Sequence, residues 1–316
     1  MLYQSNAHES LPSRNLPAPR ESGFTSSTGV PLYWAAYGEV GAPRLLLLHG
    51  GPGAHHDYML PQMLRLAGSY ELIFYDQRGG GRSKTADRQA ITWLTHTDDL
   101  RAVVSELGVE PLSLLGYSWG ALLALFYALA AYEDEANNPP QRLVLMSPAP
   151  LTREFRNEYE DEFDRRMAGA NVVGLREELA ASGLRERDPA AYRQRGFELS
   201  VAGFFADPAR ARDLTPFKVT GRVQQSVWDS LGDFDILQRL SAVQCPTLIV
   251  HGRADPIPLA SSEAAARIMP NSQLVVLESS GHVPYVEQPE ELFGAIERFL
   301  AGTAPVSHQW GQHGQR

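Results

Sequence analysis

The chain carries the segment Gly116-Tyr117-Ser118-Trp119-Gly120 at the junction of two apolar runs. Residues 111–115 before it are typical of a buried strand, and residues 121–128 after it favour a helix. A serine with a glycine two positions away on each side, between a strand and a helix, predicts a tight turn that exposes the serine hydroxyl above the sheet. The helix would aim its positive N-terminal end at that hydroxyl. Ser118 is therefore a candidate nucleophile, which requires a base, an acid and an oxyanion site elsewhere in the chain.

The candidate oxyanion site comes from two backbone segments. The segment His-Gly-Gly-Pro-Gly at 49–53 follows the apolar run 45–48, and its glycines let a backbone N–H approach a substrate because no Cβ intervenes. The N–H groups of Gly51 and of Trp119, the residue after the nucleophile, are predicted to hold the developing oxyanion. We expect His49 to orient this loop rather than to transfer protons.

The candidate acid and base follow two later strands. The β-rich run 247–252 leads into a loop that carries Asp255, and the apolar run 274–277 is followed by a loop that carries His282. A serine, an acid and a histidine in this chain order are typical of a triad that starts from a nucleophile elbow. In such a triad Ser118 attacks a carbonyl carbon, His282 transfers the proton, and Asp255 fixes the imidazole tautomer.

Other polar clusters are weaker candidates. Asp229, Asp233 and Asp235 lie near Asp255 in sequence, but none directly follows a buried strand. His-His-Asp at 55–57 places its side chains in different directions and has no further ligands at metal spacing, so no metal site is predicted. The run 76–83 follows a strand but lacks the Gly-Lys-Ser/Thr ending of a phosphate loop, so it is interpreted as a turn that borders the active site. No cofactor is expected.

Strand and helix patterns alternate along most of the chain, with helices predicted near residues 57–67, 95–107 and 118–131. The alternation predicts an α/β fold with a mostly parallel central sheet and helices on both faces. It stops after residue 150, where a long stretch dense in Arg, Glu and helix formers begins, and it resumes near residue 247. The stretch is interpreted as an inserted helical cap that lies over the site and selects the substrate. The predicted organisation is a flexible N-terminal segment 1–20, a core formed by 21–150 and 241–302, a helical cap 151–240, and a flexible tail 303–316.

Composition narrows the possible partners. The chain has 316 residues, 43% of them hydrophobic, and a formal net charge of −9, which disfavours nucleic acid and anionic membranes as partners. Its single cysteine, Cys245, leaves no intramolecular disulfide possible. The N-terminal sequence lacks the pattern of a signal peptide, and no apolar run approaches the roughly 20 residues that span a bilayer. We expect a cytoplasmic protein that acts on a small peptide or a small ester or amide.

Together these segments resemble the α/β-hydrolase superfamily over most of residues 24–300. Three of them, His-Gly-Gly-Pro-Gly at 49–53, Asp-Gln-Arg-Gly at 76–79 with Gly81 and Ser83, and Ser-Trp-Gly at 118–120, are similar to those of the proline iminopeptidase (prolyl aminopeptidase) family. The resemblance implies an α/β-hydrolase fold and release of an N-terminal proline from peptides, without a metal. It also implies backbone oxyanion donors at Gly51 and Trp119.

The substrate-binding residues depart from this family. Its elbow usually has Gly where this chain has Tyr117, and the Trp-Glu pair whose carboxylate helps to hold the substrate amine is absent. Glu198, Asp229 and Asp233 are the candidates for that carboxylate. Four aromatic residues of the predicted cap are candidates either for the wall of an apolar pocket or for core packing. They are Phe204, Phe205, Trp228 and Phe234.

Three functions are consistent with these residues. The leading one is a serine hydrolase that forms an acyl-enzyme and releases N-terminal proline. The second is a carboxylesterase or another small-molecule ester or amide hydrolase with the same triad. The third is a non-catalytic homologue that binds a ligand, because a fold does not determine a function.

Overall fold

The computed structural model describes residues 16–86, 90–133 and 138–302. The predicted flexible tail 303–316, and residues 1–15 of the predicted flexible N-terminal segment, lie outside the described residues. Arg20, at the end of that segment, is bound to the sheet: its N–H donates to the Ala36 carbonyl (2.9 Å) and its guanidinium pairs with Glu71.

Eight strands form one sheet in the order β1-β2-β4-β3-β5-β6-β7-β8. The six strands from β3 to β8 are parallel to one another, whereas β2 pairs antiparallel with both β4 and the edge strand β1. The predicted mostly parallel sheet is therefore confirmed. The strands are β1 (Glu21–Phe24), β2 (Tyr33–Tyr37), β3 (Arg44–Leu48), β4 (Glu71–Tyr75), β5 (Ser113–Tyr117), β6 (Arg142–Met146), β7 (Thr247–Gly252) and β8 (Ser272–Leu277).

Helices cover both faces of the sheet because successive strand residues point to opposite sides. In β3, Leu46 and Leu48 join the core on one face, and Leu45 and Leu47 join the core on the other. The first core is closed by α2, α3 and α9, and the second by α1, α10 and α11. These helices are α1 (Leu60–Met63), α2 (Trp93–Glu106), α3 (Trp119–Glu133), α9 (Leu259–Ile268), α10 (Pro284–Glu287) and α11 (Pro289–Leu300).

The chain leaves the sheet after β6 and returns to it at β7. Between them lie five α-helices and three 3₁₀ helices, and the only strand-like pairing among the described residues of this insertion is an isolated bridge from Thr152 to Asp235. Thr152 also caps the first of these helices, because its hydroxyl accepts the Phe155 N–H (3.1 Å). The α-helices are α4 (Arg153–Met167), α5 (Ala170–Ala181), α6 (Leu184–Arg187), α7 (Pro189–Val201) and α8 (Gly221–Leu231), and the 3₁₀ helices are Ala202–Phe204, Pro208–Asp213 and Leu237–Ala242.

The segment from 57 to 67, which the sequence predicts to be helical, is not one helix. It consists of a 3₁₀ helix (His56–Met59), the single turn α1 and a second 3₁₀ helix (Leu64–Gly68). Pro61 has no backbone N–H, so it cannot donate the hydrogen bond that would join the first turn to the second.

The strand directions place the predicted site residues at one edge of the sheet. Since β3, β5, β7 and β8 are parallel, their carboxyl ends meet at the same edge. Gly51 follows β3, Ser118 follows β5, Asp255 follows β7 and His282 follows β8.

Candidate active site

Ser118 lies in the backbone conformation that a nucleophile elbow requires. Its φ of 54° falls in the left-handed region, which costs energy for a residue with a Cβ. Backbone hydrogen bonds hold this conformation: the Ser118 N–H donates to Met146 (3.0 Å), and its carbonyl accepts from Ala121 (3.0 Å) and Ala149 (3.1 Å). The serine is therefore fixed by the end of the neighbouring strand β6, by the loop after that strand, and by the first turn of α3.

The flanking glycines are needed because backbone atoms approach them closely. A Cβ at Gly116 would lie 2.4 Å from the Gly120 carbonyl oxygen, and one at Gly120 would lie 2.1 Å from the Leu48 carbonyl oxygen. Both distances are shorter than a carbon and an oxygen can approach without a bond, and neither backbone can move without disturbing the sheet. The turn is therefore restricted to glycine at both positions.

Ser118, His282 and Asp255 form a hydrogen-bonded relay. The His282 Nε2 lies 2.9 Å from the Ser118 Oγ, and its Nδ1 lies 2.8 Å from the Asp255 Oδ2. The backbone N–H of His282 donates to the Phe204 carbonyl (2.7 Å), and the imidazole packs between the rings of Tyr117 and Phe204. The imidazole is thus oriented from both sides and by its own backbone.

Asp255 is held in its ionised form. Burial by itself would raise the pKa of this carboxyl, but the neighbouring His282 and His251 and the hydrogen bond from the Ile257 N–H (2.8 Å) outweigh burial and lower the pKa below its usual value. An ionised Asp255 can only accept, so the His282 Nδ1 carries the proton. The His282 Nε2 is then an acceptor and faces the Ser118 hydroxyl.

The two predicted oxyanion donors lie at the carboxyl ends of the adjacent strands β3 and β5. Gly51 adopts a φ of +55° directly after β3, and Trp119 is the first residue of α3. Within the described chain neither backbone N–H donates to another protein group. Because Trp119 begins a helix, its N–H also carries the positive end of the helix dipole.

His49 holds the peptide group that presents the Gly51 N–H. The Gln77 backbone N–H donates to the His49 Nε2 (3.0 Å), so this nitrogen is unprotonated and Nδ1 carries the proton. That Nδ1–H donates to the Gly50 carbonyl (2.9 Å), and the N–H of the same peptide group belongs to Gly51. Burial lowers the pKa of His49 to about 4, so the neutral ring persists at neutral pH.

A family model described as "Alpha/beta hydrolase family" matches residues 45–295, which include the strands from β4 to β8, the insertion, and Gly51, Ser118, Asp255 and His282. The chain belongs to the alpha/beta hydrolase family.

Curated relatives and solved structures agree with this assignment. The hydrolase is 26% identical over 298 residues to a protein of Saccharolobus solfataricus named proline iminopeptidase, covering 89% of this chain and 92% of the relative. Its fold is similar to the crystal structure of a proline iminopeptidase from Mycobacterium smegmatis, with a TM-score of 0.65, 22% identity, and coverage of 90% and 98% of the two chains. It is equally similar to the esterase EaEST from Exiguobacterium antarcticum, with a TM-score of 0.65, 24% identity, and coverage of 89% and 100%.

Two aromatic contacts join the insertion of this hydrolase to the site. Phe204 packs on the imidazole of His282 (ring centroids 5.1 Å apart) and on Phe163 of α4 (4.6 Å). Trp228 of α8 packs edge-on against Trp119 (5.4 Å). Of the predicted pocket aromatics, Phe204 and Trp228 therefore contact residues of the site.

The other predicted substrate-binding residues are placed differently. Phe205 is buried in the core beneath the sheet. Glu198 is buried, and its carboxylate accepts from Arg195 (2.8 Å) and Gln194 (3.0 Å) within α7. Asp229 is exposed and accepts from Gln225 (2.7 Å). Of the two residues named beside them, Asp233 is exposed and Phe234 is buried.

Sequence reasoning did not identify Gln77 or Tyr58 as parts of the site. The Tyr58 hydroxyl accepts the Gly50 N–H (2.8 Å), and the Gln77 side chain contacts both halves of the candidate oxyanion hole. The Asp-Gln-Arg-Gly motif marked the loop of Gln77, but nothing in the pattern assigned its amide a partner. Tyr58 lies outside all of the sequence motifs described above.

Among the described residues, no group of three or more His, Cys, Asp or Glu side chains is arranged to hold a metal ion. The described helices include none with both the length and the apolar character needed to cross a bilayer.

Proposed function

We propose that this chain is a serine hydrolase that cleaves substrates through an acyl-enzyme on Ser118. The observation that carries the proposal is the relay from Ser118 through His282 to Asp255, with hydrogen bonds of 2.9 and 2.8 Å. The hydroxyl of a serine is a weak nucleophile until a base accepts its proton, and the imidazole has the geometry and tautomer for that role.

In the first half of the reaction, the Ser118 Oγ attacks the substrate carbonyl carbon and its proton passes to the His282 Nε2. The carbonyl oxygen becomes an oxyanion, which the N–H groups of Gly51 and Trp119 bind. Collapse of this intermediate breaks the bond to the leaving group, which takes the proton from His282. The acyl group remains on Ser118, and Asp255 stabilises the imidazolium while it exists.

In the second half, water attacks the acyl carbon and gives a proton to His282. A second oxyanion forms in the same site, the bond to the Ser118 Oγ breaks, and His282 returns its proton to that oxygen. The acid product leaves and the resting relay is restored.

We propose that the insertion from 151 to 240 acts as a cap that covers this site and selects the substrate. The support lies in its contacts at two separate points, Phe204 on His282 and Trp228 on Trp119. A guanidinium from α4, that of Arg156, stacks over the Trp228 ring at 3.9 Å and ties α4 to α8. The cap would thus present aromatic groups on both sides of the nucleophile.

We propose N-terminal proline peptides as the substrate class. The relatives named proline iminopeptidase, about a quarter identical over nearly the whole chain, support this choice. Such a substrate carries a free amine, and a buried carboxylate is the group that recognises it. Glu198 is the buried carboxylate of the predicted set.

One observation favours the second candidate, a carboxylesterase. The Glu198 carboxylate is already paired with Arg195 and Gln194, and Asp229 faces solvent, so an amine would have to replace an existing partner. An apolar ester has no amine, so it can bind without a carboxylate partner in the cap.

Hydrolysis of four substrates separates the two candidates. They are proline 4-nitroanilide, alanine 4-nitroanilide, N-acetylproline 4-nitroanilide and 4-nitrophenyl butyrate. We expect the first to be cleaved at least tenfold faster than the second and third. Equal rates on free and acetylated proline would exclude amine recognition, and rapid turnover of the butyrate ester alone would assign the chain as an esterase.

A variant pair tests the role of Glu198. Glu198→Gln is expected to raise KM for proline 4-nitroanilide by about tenfold, because a hydrogen bond to a charged group contributes about 1.5 kcal/mol or more. Glu177→Gln, an exposed position on α5, serves as the control with unchanged KM. Unchanged KM in both variants would remove Glu198 from the amine site.

A further inference from the structure

The Gln77 side chain lies between the two segments that carry the candidate oxyanion donors. Its Nε2 donates to the His49 carbonyl (2.8 Å), and its Oε1 accepts from the indole N–H of Trp119 (2.8 Å). A third contact joins the Oε1 to the Nδ1 of His96 (3.1 Å). All four residues are at most 1% exposed, so water does not compete for these hydrogen bonds.

The orientation of the amide is determined by its partners. An indole nitrogen only donates and a backbone carbonyl only accepts, so the Oε1 must face Trp119 and the Nε2 must face His49. His96 must therefore donate its Nδ1–H, which leaves its Nε2 without a proton. Burial lowers the pKa of His96 to about 3, in agreement with a neutral ring.

The backbone of Gln77 makes a further contact with the segment 49–53, which carries the Gly51 donor. The Gln77 N–H binds the His49 Nε2 (3.0 Å) and thereby fixes the tautomer whose Nδ1–H holds the Gly50 carbonyl. The peptide group between His49 and Gly50 is also fixed. Its oxygen accepts from the Gln77 side-chain amide, and its N–H donates to the Tyr58 hydroxyl (2.8 Å). Two successive peptide planes are thus fixed next to the Gly51 N–H.

We infer that Gln77 is a positioning residue that sets the separation and direction of the Gly51 and Trp119 N–H groups. It does not contact the reacting atoms; it joins the loop after β3 to the first residue of α3 through one buried amide. Oxyanion stabilisation depends on donors placed before the charge develops, so displacement of either donor by about 1 Å lowers the rate by about 100-fold. The inference rests on the proposed function.

The test replaces the amide in two ways. Gln77→Met keeps the length of the side chain but loses its hydrogen bonds to His49, Trp119 and His96. Gln77→Glu keeps an acceptor for Trp119 but sets a carboxylate oxygen against the His49 carbonyl. Thr247→Val removes a buried hydroxyl at the start of β7 that donates to the Cys245 carbonyl (3.1 Å), and it is the control for loss of a buried hydrogen bond away from the site.

Each variant is assayed on the best of the four substrates above and normalised to the fraction of protein that reacts with a fluorophosphonate. We expect Gln77→Met to lower kcat by about 10- to 100-fold with KM changed less than threefold. The inhibition constant of phenylboronic acid, whose serine adduct has a tetrahedral boron with one oxygen in the oxyanion site, is expected to rise by a similar factor. Gln77→Glu should fall between Gln77→Met and the wild type, and Thr247→Val should match the wild type.

A merely structural role gives a different result, in which the reactive fraction falls while kcat per reactive site and boronate affinity stay constant. That result, or an unchanged Gln77→Met, would overturn the inference alone, because the wild type remains active. A wild type that neither turns over any of the four substrates nor reacts with the fluorophosphonate would overturn the proposed function and this inference together.

Discussion

Two glycines at the carboxyl edge of the sheet and two glycines in the inserted helices occupy opposite environments. A Cβ at Gly120 would meet the Leu48 carbonyl oxygen at 2.1 Å, and one at Gly116 would meet the Gly120 carbonyl oxygen at 2.4 Å. Gly174 in α5 and Gly196 in α7 have nothing within 4 Å of that position. Positions 116 and 120 therefore require glycine, whereas positions 174 and 196 have room for a larger residue.

Polar groups differ between the same two regions. At the sheet edge His49, Gln77 and His96 are buried and hydrogen-bonded to one another or to backbone. In the insertion several charged groups form surface ion pairs within a single helix, such as Arg165 with Glu162. Exposed pairs of this kind contribute little to stability, whereas loss of one partner from a buried network leaves the other unpaired. Changes at the sheet edge should therefore have the larger effects.

Removal of the nucleophile should give the largest effect. Ser118→Ala is expected to lower kcat by about 10⁴- to 10⁶-fold while the protein remains folded, since the hydroxyl that forms the acyl-enzyme is lost. Steady-state kinetics on the preferred nitroanilide or nitrophenyl ester measures it. Ser182→Ala, in the insertion, removes a hydroxyl that bonds only to nearby turn atoms and should leave kcat unchanged. A loss of less than tenfold in Ser118→Ala would show that another group is the nucleophile.

Gly120→Ala should give the next largest effect. The added methyl meets the carbonyl oxygens of Leu48 and His49, at 2.1 and 2.7 Å, and these atoms belong to the backbone of β3 and the loop after it. We expect a loss of about 3 kcal/mol in the free energy of unfolding, measured by urea denaturation. Wild-type stability in this variant would contradict the close packing at the elbow.

Mild acid should weaken the fold through His49 and His96. Burial lowers the pKa values of these rings to about 4 and about 3, below the ordinary value of 6.5. Between those values and 6.5 the unfolded chain binds protons that the folded chain does not, so stability falls as pH falls. From pH 6.5 to 5.5 each histidine should reduce the free energy of unfolding by about 1 kcal/mol.

Urea denaturation at pH 6.5 and 5.5 measures this dependence, and His96→Gln supplies the comparison. His49 and His96 together should lower the free energy of unfolding between pH 6.5 and 5.5. In His96→Gln this decrease should be about half as large, because a glutamine does not titrate. An identical dependence in the variant and the wild type would show that His96 is not held neutral by burial.

The smallest effect is expected in the insertion, and its sign is opposite. Gly174→Ala adds a methyl to an open position inside α5 and restricts the unfolded chain, so it should stabilise the protein by about 0.5–1 kcal/mol. The free energy of unfolding from urea titration and kcat on the same substrate are the two readouts, with kcat unchanged. A destabilised variant would mean that the insertion is packed as closely as the sheet edge.

The same contrast explains which features the sequence predicts. The mostly parallel sheet can be predicted from the alternation of strand and helix patterns. The elbow can be predicted because its strand, its two glycines and its helix are consecutive in sequence. Ser118, Asp255 and His282 were predictable as neighbours because parallel strands deliver their ends to a common edge. All three residues lie outside the insertion, so their proximity could be predicted without knowing how the insertion packs.

The contacts of Glu198 and Gln77 were not predictable in this way. The Glu198 carboxylate pairs with Arg195, three residues away on the same helix, and no local pattern tells whether such a carboxylate faces its neighbour or a cavity. The Gln77 amide joins residues 28 and 42 positions away in sequence. Such contacts depend on how elements pack, and hydrophobic periodicity does not encode that packing.

Covalent labelling with a fluorophosphonate tests directly whether Ser118 is an activated nucleophile. Attack by the activated serine forms an oxygen–phosphorus bond and releases fluoride, and peptide mapping by mass spectrometry locates the adduct. We expect one adduct, on Ser118, that is absent from Ser118→Ala and forms far more slowly in His282→Ala. No adduct on the folded wild-type protein, or an adduct on a different residue, would contradict it.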